Sequence, residues 1–268
     1  MQEVRRCRIC GAAFSVPLPA REDLAGWYTE SYFQQFYGGD RTAATARCGV
    51  LLDRASRLLK IPAPRLLDIG CGVGDLAVAA LQRGWQAIGL ESAQSAVQKA
   101  AARGVPVVHG DAAGVLLAAD RDLPLPQELR RPFDLVVLRD TLGHLPGAGQ
   151  VLAGATRLLR AGGWLVVRVP NRHTRLFRWA RLAGLVTDSS GALHLPAQIL
   201  HLDRAALQRL LGRQGLEHVC VEGESEGVRQ NGGRYSRRRW ADAVWRMAVA
   251  RWERMGEPEA LVGWGCKP

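Results

Sequence analysis

A glycine-rich turn between an apolar run and a helix-like segment most constrains the fold of this chain. Residues 66–75 read LLDIGCGVGD, in which the apolar run leads into Gly70, Gly72 and Gly74. Glycine has no Cβ, so a ligand can approach the backbone N–H groups of such a turn closely. In open parallel sheets, ligands bind at the carboxyl ends of the strands. The turn therefore predicts an α/β fold with a ligand site at that edge of the sheet.

Short apolar runs alternate with helix-like segments through much of the chain, which is typical of a parallel sheet. We predict strands at 65–69, 86–90, 105–109, 133–138, 163–169, 216–222 and 259–265. Helices are predicted after Arg41 and at 75–83, 93–103, 148–160 and 237–255. The helix at 148–160 is expected to end at a glycine cap, Ala161-Gly162-Gly163. A chain of 268 residues then forms one large domain with appendages.

Acidic residues around the turn narrow the choice of ligand. Asp68 lies at its mouth and Asp75 begins the next helix, where two carboxylates would repel a pyrophosphate. The spacing is G-x-G-x-G rather than the dinucleotide pattern G-x-G-x-x-G. Glu91 ends the second strand, where a carboxylate can accept both ribose hydroxyls, and Asp111 follows the third, near an adenine amino group. The pattern predicts a positively charged adenosine without phosphate, as in S-adenosylmethionine.

The ordered motifs resemble the class I S-adenosylmethionine-dependent methyltransferases. The matching segments, within residues 27–223, are LLDIGCGVGDLA, IGLESAQSAV, VPVVHGDA, PFDLVVLRDTLGHLPG and ATRLLRAGGWLVVRVPN. They are most similar to the branch with ubiquinone-biosynthesis O-methyltransferases and sugar or natural-product methyltransferases. The resemblance implies a Rossmann-like, seven-stranded, mostly parallel sheet with an antiparallel last strand, helices on both faces and an N-terminal helical and aromatic cover. It also implies methyl transfer to an oxygen or carbon of a small organic acceptor, with S-adenosylhomocysteine as product.

The resemblance also assigns residues to the site. The expected cofactor-binding residues are Asp68, Gly70, Cys71, Gly72, Gly74, Glu91, Ser92, Asp111, Ala112, Leu138 and Arg139. His144 is the candidate general base for a hydroxyl acceptor, and its alternative role is to shape the cofactor pocket. Tyr37, in an aromatic segment that begins at Trp27, is a candidate acceptor contact, as are His194 and His201. Packing or capping is the alternative role of these three residues.

The net charge of +11 attracts polyanions. Only Lys60, Lys99 and Lys267 are lysines, however, so arginine-rich coding bias explains the charge equally well. An RNA or DNA methyltransferase is an alternative, but the chain lacks the Asn/Asp-Pro-Pro-aromatic tetrad that serves base amino groups. We therefore expect a small-molecule acceptor and no nucleic-acid partner.

Two basic segments raise the question of membrane contact. Arginines recur every three residues from 172 to 181, and the segment 237–255 carries tryptophans along one apolar arc. Such helices can lie on a membrane surface, or they can be a lid and a surface helix packed on the sheet. A non-catalytic partner or membrane-associated subunit with this fold is a further alternative. No apolar run approaches the roughly 20 residues of a bilayer span, and no secretory signal is present, so we expect a cytoplasmic protein.

Cys7-Arg-Ile-Cys10 looks like half of a zinc knuckle. Tetrahedral zinc needs four ligands, and no second CxxC follows. A degenerate knuckle without metal is the prediction. We place it in an N-terminal segment, 1–59, ahead of a methyltransferase domain, 60–268, with a lid at about 172–200 and a helical insertion at about 237–255. The sequence does not determine the oligomeric state.

Overall fold

The computed structural model describes residues 3–19, 41–171, 198–224, 258 and 260–268. Its strands are β1 (Glu3–Arg6), β2 (Ala13–Val16), β3 (Arg65–Ile69), β4 (Gln86–Glu91), β5 (Val107–His109), β6 (Phe133–Arg139), β7 (Leu159–Pro170), β8 (Leu200–His201), β9 (Glu217–Glu224) and β10 (Ala260–Cys266). Its α-helices are α1 (Arg41–Leu59), α2 (Asp75–Leu81), α3 (Gln94–Ala102), α4 (Ala112–Asp120), α5 (Ala148–Arg157) and α6 (Arg204–Gly212). Short 3₁₀ helices occupy Gln127–Leu129 and Leu142–His144.

Seven strands form one sheet in the order β5-β4-β3-β6-β7-β10-β9. The pairs from β5 to β7 are parallel, whereas β10 is antiparallel to both β7 and β9. This arrangement confirms the predicted mostly parallel sheet and its antiparallel last strand. The chain runs outward from β3 to β5 and then restarts at β6 on the other side of β3. The carboxyl ends of β3 and β6 therefore flank the switch point at which such sheets bind ligands.

Helices cover both faces of this sheet, as predicted. Helices α1, α2 and α3 pack on one face, where their buried residues include Cys48, Leu52, Ala55, Leu76, Ala80 and Ala100. Helices α4, α5 and α6 pack on the other, where theirs include Leu116, Val151, Leu152, Ala155, Leu207 and Leu211. The central strands contribute side chains to both clusters, because successive residues of a strand point to opposite faces. The core therefore fixes where the ends of these strands lie.

The expected glycine cap after α5 is wrong. Helix α5 ends at Arg157, and β7 begins at Leu159. The Phe133 N–H donates to the Leu158 carbonyl at 2.8 Å, which draws the chain into the sheet immediately after the helix. The residues between Leu159 and Trp164 form an irregularity in the pairing of β7 with β6. There the Gly162 N–H donates to the Lys267 carbonyl at 2.8 Å, so the glycines belong to the strand.

Strands β1, β2 and β8 form a second sheet that the sequence analysis did not predict. Strand β8 pairs with β2 at Ala13 and His201, and the Ile199 N–H donates to the Gly143 carbonyl at 2.8 Å. The small sheet therefore lies against the 3₁₀ helix that follows β6. None of the helices within the described ranges has the length and hydropathy needed to cross a bilayer. The aromatic segment with Tyr37, most of the predicted lid with His194, and the helix predicted at 237–255 lie outside those ranges.

Candidate functional site

The glycine turn links β3 to α2 in a conformation that suits glycine. Gly70, Gly72 and Gly74 have φ values of +70°, +55° and +83°, a region that L side chains rarely adopt. A Cβ on Gly70 would lie 2.4 Å from the Thr141 hydroxyl oxygen. The Gly70 N–H donates to the Leu90 carbonyl at 2.8 Å, which fixes the turn against β4. The turn is therefore both tight and anchored.

Glu91, the last residue of β4, reaches back to this turn. Its carboxylate accepts hydrogen bonds from the backbone N–H groups of Gly72 at 2.9 Å, Ser92 at 2.8 Å and Ala93 at 2.9 Å. Only 8% of the residue is exposed. Three backbone donors hold the carboxylate in one orientation, at the strand end where the sequence analysis placed a ribose-binding acid.

Asp68 lies one residue before the end of β3 and is 3% exposed. Burial raises the pKa of Asp68 to about 7; the positive charge of Arg139 opposes the rise, and the negative charges of Glu91 and Asp75 add to it. A buried carboxylate is costly to ionise without a positive partner. The site therefore favours a ligand that brings a cation to this position.

Asp75 has different surroundings. Its carboxylate pairs with Arg41 at 2.9 Å and with Arg103 at 2.8 Å. Arg103 also donates to the Val73 carbonyl at 2.6 Å and to the Thr45 hydroxyl at 3.0 Å, which ties α1 to the turn. The sequence argument counted Asp75 as a charge that repels a pyrophosphate, and this premise is wrong because two arginines neutralise it. The electrostatic argument therefore rests on Asp68.

Other expected cofactor residues border the turn without exposing their side chains. The Cys71 thiol is buried, and a Cβ on Gly89 would lie 2.5 Å from its sulfur, so the thiol fills the space above β4. Burial raises the pKa of Cys71 far above its usual value, which keeps the thiol protonated. Leu138 is fully buried in the core, so it can offer a ligand only its backbone. Cys71 and Leu138 therefore support the turn and the strand ends from the buried side of the site.

Asp111 and Ala112 lie at the start of α4. The Asp111 carboxylate caps the helix by accepting from the Gly114 N–H at 2.8 Å, and Asp111 itself is exposed. Ala112 is buried. The bond to the Gly114 N–H holds the Asp111 carboxylate beyond the end of β5. Contact between Asp111 and an adenine stays a prediction.

Arg139 ends β6 and connects the site to α1. Its guanidinium donates to the Cys48 sulfur at 3.1 Å, a contact that sequence reasoning did not foresee. The neighbouring Thr141 hydroxyl lies 2.9 Å from the Ile69 carbonyl and 3.0 Å from that of Arg139. Thr141 therefore joins the ends of β3 and β6 beneath the glycine turn. The sequence analysis assigned no role to Cys48, nor to Thr141 within the motif PFDLVVLRDTLGHLPG. The contacts Cys48–Arg139 and Thr141–Ile69 join residues that are far apart in the chain.

The two described histidines among the candidates have different environments. His144 is half-buried in the 3₁₀ helix after β6, where its backbone N–H donates to the Thr141 carbonyl at 2.9 Å. His201 is 4% exposed within β8. Burial in the small sheet favours the packing role for His201 over an acceptor contact. The position of His144 beside the strand end is compatible with the role of general base.

A buried ion network that the sequence analysis missed lies farther along the same edge of the sheet. Arg168 on β7 is 7% exposed, and it pairs with Asp140 and, at 2.5 Å, with Glu224 at the end of β9. The Asp140 N–H donates to the Arg168 carbonyl at 2.9 Å, and Asp140 has a φ of +55°. These ion pairs join the residue after β6 to β7 and to the end of β9.

Comparisons with known proteins agree with this geometry. A family model described as a methyltransferase domain matches residues 41–221. A ubiquinone biosynthesis O-methyltransferase of Paracidovorax citrulli is 27% identical over 58% of this chain and 67% of its own length. Its counterpart in Chromobacterium violaceum is 30% identical over 47% of this chain, and the match spans only 53% of that relative.

Solved structures show the same fold. A S-adenosylmethionine-dependent methyltransferase from Archaeoglobus fulgidus superposes with a TM-score of 0.60 at 19% identity, covering 90% of this chain and all of that one. Magnesium protoporphyrin IX methyltransferase from Synechocystis, solved with bound S-adenosylhomocysteine, gives a TM-score of 0.61 at 13% identity and covers 93% of this chain. The family model spans more than half of the sequence, and the sheet order and glycine turn agree with it. The chain therefore belongs to the class I S-adenosylmethionine-dependent methyltransferases.

Proposed function

We propose that this protein transfers a methyl group from S-adenosylmethionine to an oxygen or carbon of a small organic acceptor. The observation that carries the proposal is the Glu91 carboxylate, hydrogen bonded to the Gly72 N–H at 2.9 Å beside the buried Asp68. This pair of acids faces a turn in which a Cβ at Gly70 would clash with Thr141. The arrangement suits a sugar hydroxyl pair next to a positively charged group.

The residues present fit this cofactor. Glu91 would accept the ribose hydroxyls, and Asp68 would receive the α-ammonium group, which supplies the positive partner that its buried carboxylate needs. Asp111 and Ala112 would contact the adenine, while Cys71, Ser92 and Leu138 would contribute backbone groups and shape. When bound, S-adenosylmethionine supplies an electrophilic methyl group on a positively charged sulfur.

The protein's main contribution to catalysis would be positioning. Holding an acceptor atom about 3 Å from the methyl carbon, in line with the leaving sulfur, can supply up to about 7–11 kcal/mol of the barrier. His144 would accept the proton of a hydroxyl acceptor, a contribution of roughly 10²–10⁴-fold in rate. The names of the curated relatives, ubiquinone biosynthesis O-methyltransferases, support a quinone-like acceptor that is methylated on oxygen. Natural-product or sugar acceptors fit the same branch.

Calorimetric titration with S-adenosylhomocysteine tests whether the Glu91 carboxylate contributes to cofactor binding. We expect wild-type protein to bind it and Glu91→Gln to bind roughly 10–100-fold more weakly, because hydrogen bonds to a charged group contribute about 1.5–3 kcal/mol. Glu222→Gln is the matched control, since Glu222 is exposed and pairs with Arg54 on the side of α1. Equal affinities for wild type and Glu91→Gln would contradict the proposed site. Absence of binding by wild type would favour a non-catalytic role.

A labelled-methyl assay tests the acceptor and the role of His144. Phenols, catechols, sugars, RNA and DNA are each incubated with the enzyme, and the products are identified by mass spectrometry. We expect label in a small hydroxyl compound and a fall in kcat of roughly 10²–10⁴-fold for His144→Gln, with unchanged affinity for S-adenosylhomocysteine. His218→Gln, at an exposed position on β9, should retain full activity. Label in nucleic acid would overturn the acceptor proposal.

A further inference from the structure

The Cys7-Arg-Ile-Cys10 turn, which the proposed function does not use, brings two thiols together at the tip of the β1–β2 hairpin. The Gly11 N–H donates to the Cys7 carbonyl at 2.9 Å, and the Cys7 N–H donates to the Ala12 carbonyl at 2.8 Å. The first of these bonds closes a single helical turn, in which residues i and i+3 have Cα atoms about 5 Å apart. Disulfides span Cα separations of about 4.4–6.8 Å. The Cα separation in this turn therefore lies within the range that a Cys7–Cys10 disulfide spans.

The contacts of Cys7 favour a reactive thiolate. The pKa of the Cys7 thiol is lowered, chiefly by hydrogen bonds from the N–H groups of Cys10 and Ile9, and further by the Cys10 thiol and the charge of Arg213. Both cysteines are partly exposed, so reagents can reach them. Thiolate character together with access determines which cysteines react.

An open cavity of about 450 Å³ borders Cys7, and arginines line it. The lining residues are Arg6, Cys7, Arg8, Ile9, Gly11 and Arg209. Arg209 donates to the Cys10 carbonyl at 2.7 Å, and Arg6 donates to the Gly11 carbonyl at 2.9 Å, so both guanidinium groups are held beside the turn. The cavity is large enough for a small molecule. Arg6 also pairs with Asp203 at 2.8 Å, so the positive charge that suits an anionic molecule comes mainly from Arg8 and Arg209.

The same features count against a metal ion. In the part of the chain that the structure describes, no third histidine, cysteine, aspartate or glutamate joins the pair to make a ligand set. Several guanidinium groups around two thiols also disfavour a cation. Among the other cysteines, Cys48 and Cys71 are buried, and burial raises the pKa of Cys266. We expect these three thiols to react more slowly.

We propose that Cys7 and Cys10 form a redox-active dithiol that reacts with anionic low-molecular-weight disulfides. The Cys7 thiolate attacks one sulfur of the small disulfide, which forms a mixed disulfide and releases one small thiolate. The Cys10 thiolate then attacks the Cys7 sulfur, which closes the protein disulfide and releases the second small thiolate. The two thiols of the protein lose two electrons and two protons, and the small disulfide is reduced to two thiols.

Peptide mapping of the full-length protein tests this proposal. Reduced protein is incubated with glutathione disulfide at pH 7, its remaining thiols are blocked, and it is digested with trypsin without reduction. Trypsin cuts after Arg6 and Arg8, so the dipeptide with Cys7 stays joined to the fragment beginning at Ile9 only through a disulfide. We expect this linked species to form at least about tenfold faster than any adduct of Cys220 or Cys266.

Two comparisons separate the parts of the proposal. Glutathione disulfide, which is anionic, should react roughly tenfold faster than cystamine, a cationic disulfide, and the difference should shrink in high salt. Cys10→Ser should accumulate a glutathione adduct on Cys7, whereas Cys220→Ser should behave as wild type. Equal rates at all exposed cysteines, or a stoichiometric metal in the purified protein that blocks the pair, would overturn the proposal. None of these outcomes depends on methyl transfer.

Discussion

Acidic side chains end strands in two regions of the same sheet edge, yet the two regions stabilise them differently. At the ends of β3 and β4, backbone N–H groups hold Glu91, and no arginine within the described ranges forms an ion pair with Glu91 or Asp68. Toward β7 and β9, Asp140 and Glu224 share the buried guanidinium of Arg168.

We interpret the difference as one between the proposed cofactor site and a structural ion network. Backbone N–H groups orient a carboxylate while leaving its negative charge formally intact, so a positively charged or hydroxyl-bearing ligand can still use it. A shared guanidinium offsets part of the negative charge of both acids and holds each of them in an ion pair. We therefore expect substitutions in the first region to change ligand binding, and substitutions in the second to change stability.

The largest expected effect is on stability, at Arg168. Arg168→Met leaves two acids without their partner, and we expect the free energy of unfolding to fall by about 3 kcal/mol, toward the low end for buried ion pairs because both acids are partly exposed. Urea denaturation measures this change. Arg157→Met removes an exposed pair with Asp122 and should cost less than about 1 kcal/mol. If Arg168→Met retained its stability but lost affinity for S-adenosylhomocysteine, the assignment of a structural role to the Arg168 network would be contradicted.

Asp68 should show a pH-dependent effect of up to a few kcal/mol. The pKa of Asp68 in the folded protein, about 7, lies above its ordinary value of 3.8. The folded state therefore binds the extra proton, and stability falls as pH rises between these values. Asp68→Asn should therefore stabilise the cofactor-free protein at pH 8 and have little effect near pH 4, as measured by urea denaturation. A stability difference independent of pH would contradict this ionisation.

The same substitution should act in the opposite direction on binding. A cationic group beside Asp68 favours the ionised carboxylate, so wild-type affinity for S-adenosylhomocysteine should rise with pH up to about 7 and then level off. Asp68→Asn should weaken binding at pH 8 and remove this rise. Calorimetry at several pH values measures both effects, and Asp122→Asn, at an exposed position, serves as the control.

Asp75 is an intermediate case with the smallest expected effect. It lies in the first region but is neutralised as in the second, by Arg41 and Arg103. Arg103→Gln should lower the free energy of unfolding by about 1 kcal/mol, because the pair is partly exposed and Arg41 remains. Arg83→Gln, which breaks a more exposed pair with Asp53, should have a smaller effect. Equal losses in urea denaturation would show that the link from Arg103 to the turn adds nothing.

Local sequence predicted the central features well. The positions of the seven main strands along the chain followed from alternating apolar runs, and the G-x-G-x-G turn lies where expected, between β3 and α2. The closeness of Glu91 and Asp68 was predictable because both adjoin strand ends, and strand ends meet at one edge of a parallel sheet. Their contact with a cofactor stays a prediction. The predictions of the strands and the turn relied on patterns of residues that lie within a few positions of one another in the sequence.

The features that the sequence did not predict depend on contacts between distant residues. The arginines that neutralise Asp75 are 34 and 28 residues away, and Glu224 is 56 residues from Arg168. Strand β1, EVRR, has no apolar alternation and exists because β2 pairs with it. Gly162 resembled a helix cap, but its N–H is bonded to Lys267 across the sheet. Spacing alone cannot reveal such partners.

The packing of Thr141 under Gly70 has a consequence for how this domain can vary. The Thr141 side chain occupies the volume that a methyl group on residue 70 would need, and its hydroxyl contacts the last carbonyls of two adjacent strands. A bulkier residue at position 70 would therefore demand a smaller one at position 141, together with a backbone that tolerates positive φ. We therefore expect residues 70 and 141 to change together in related or engineered sequences, although 70 residues lie between them.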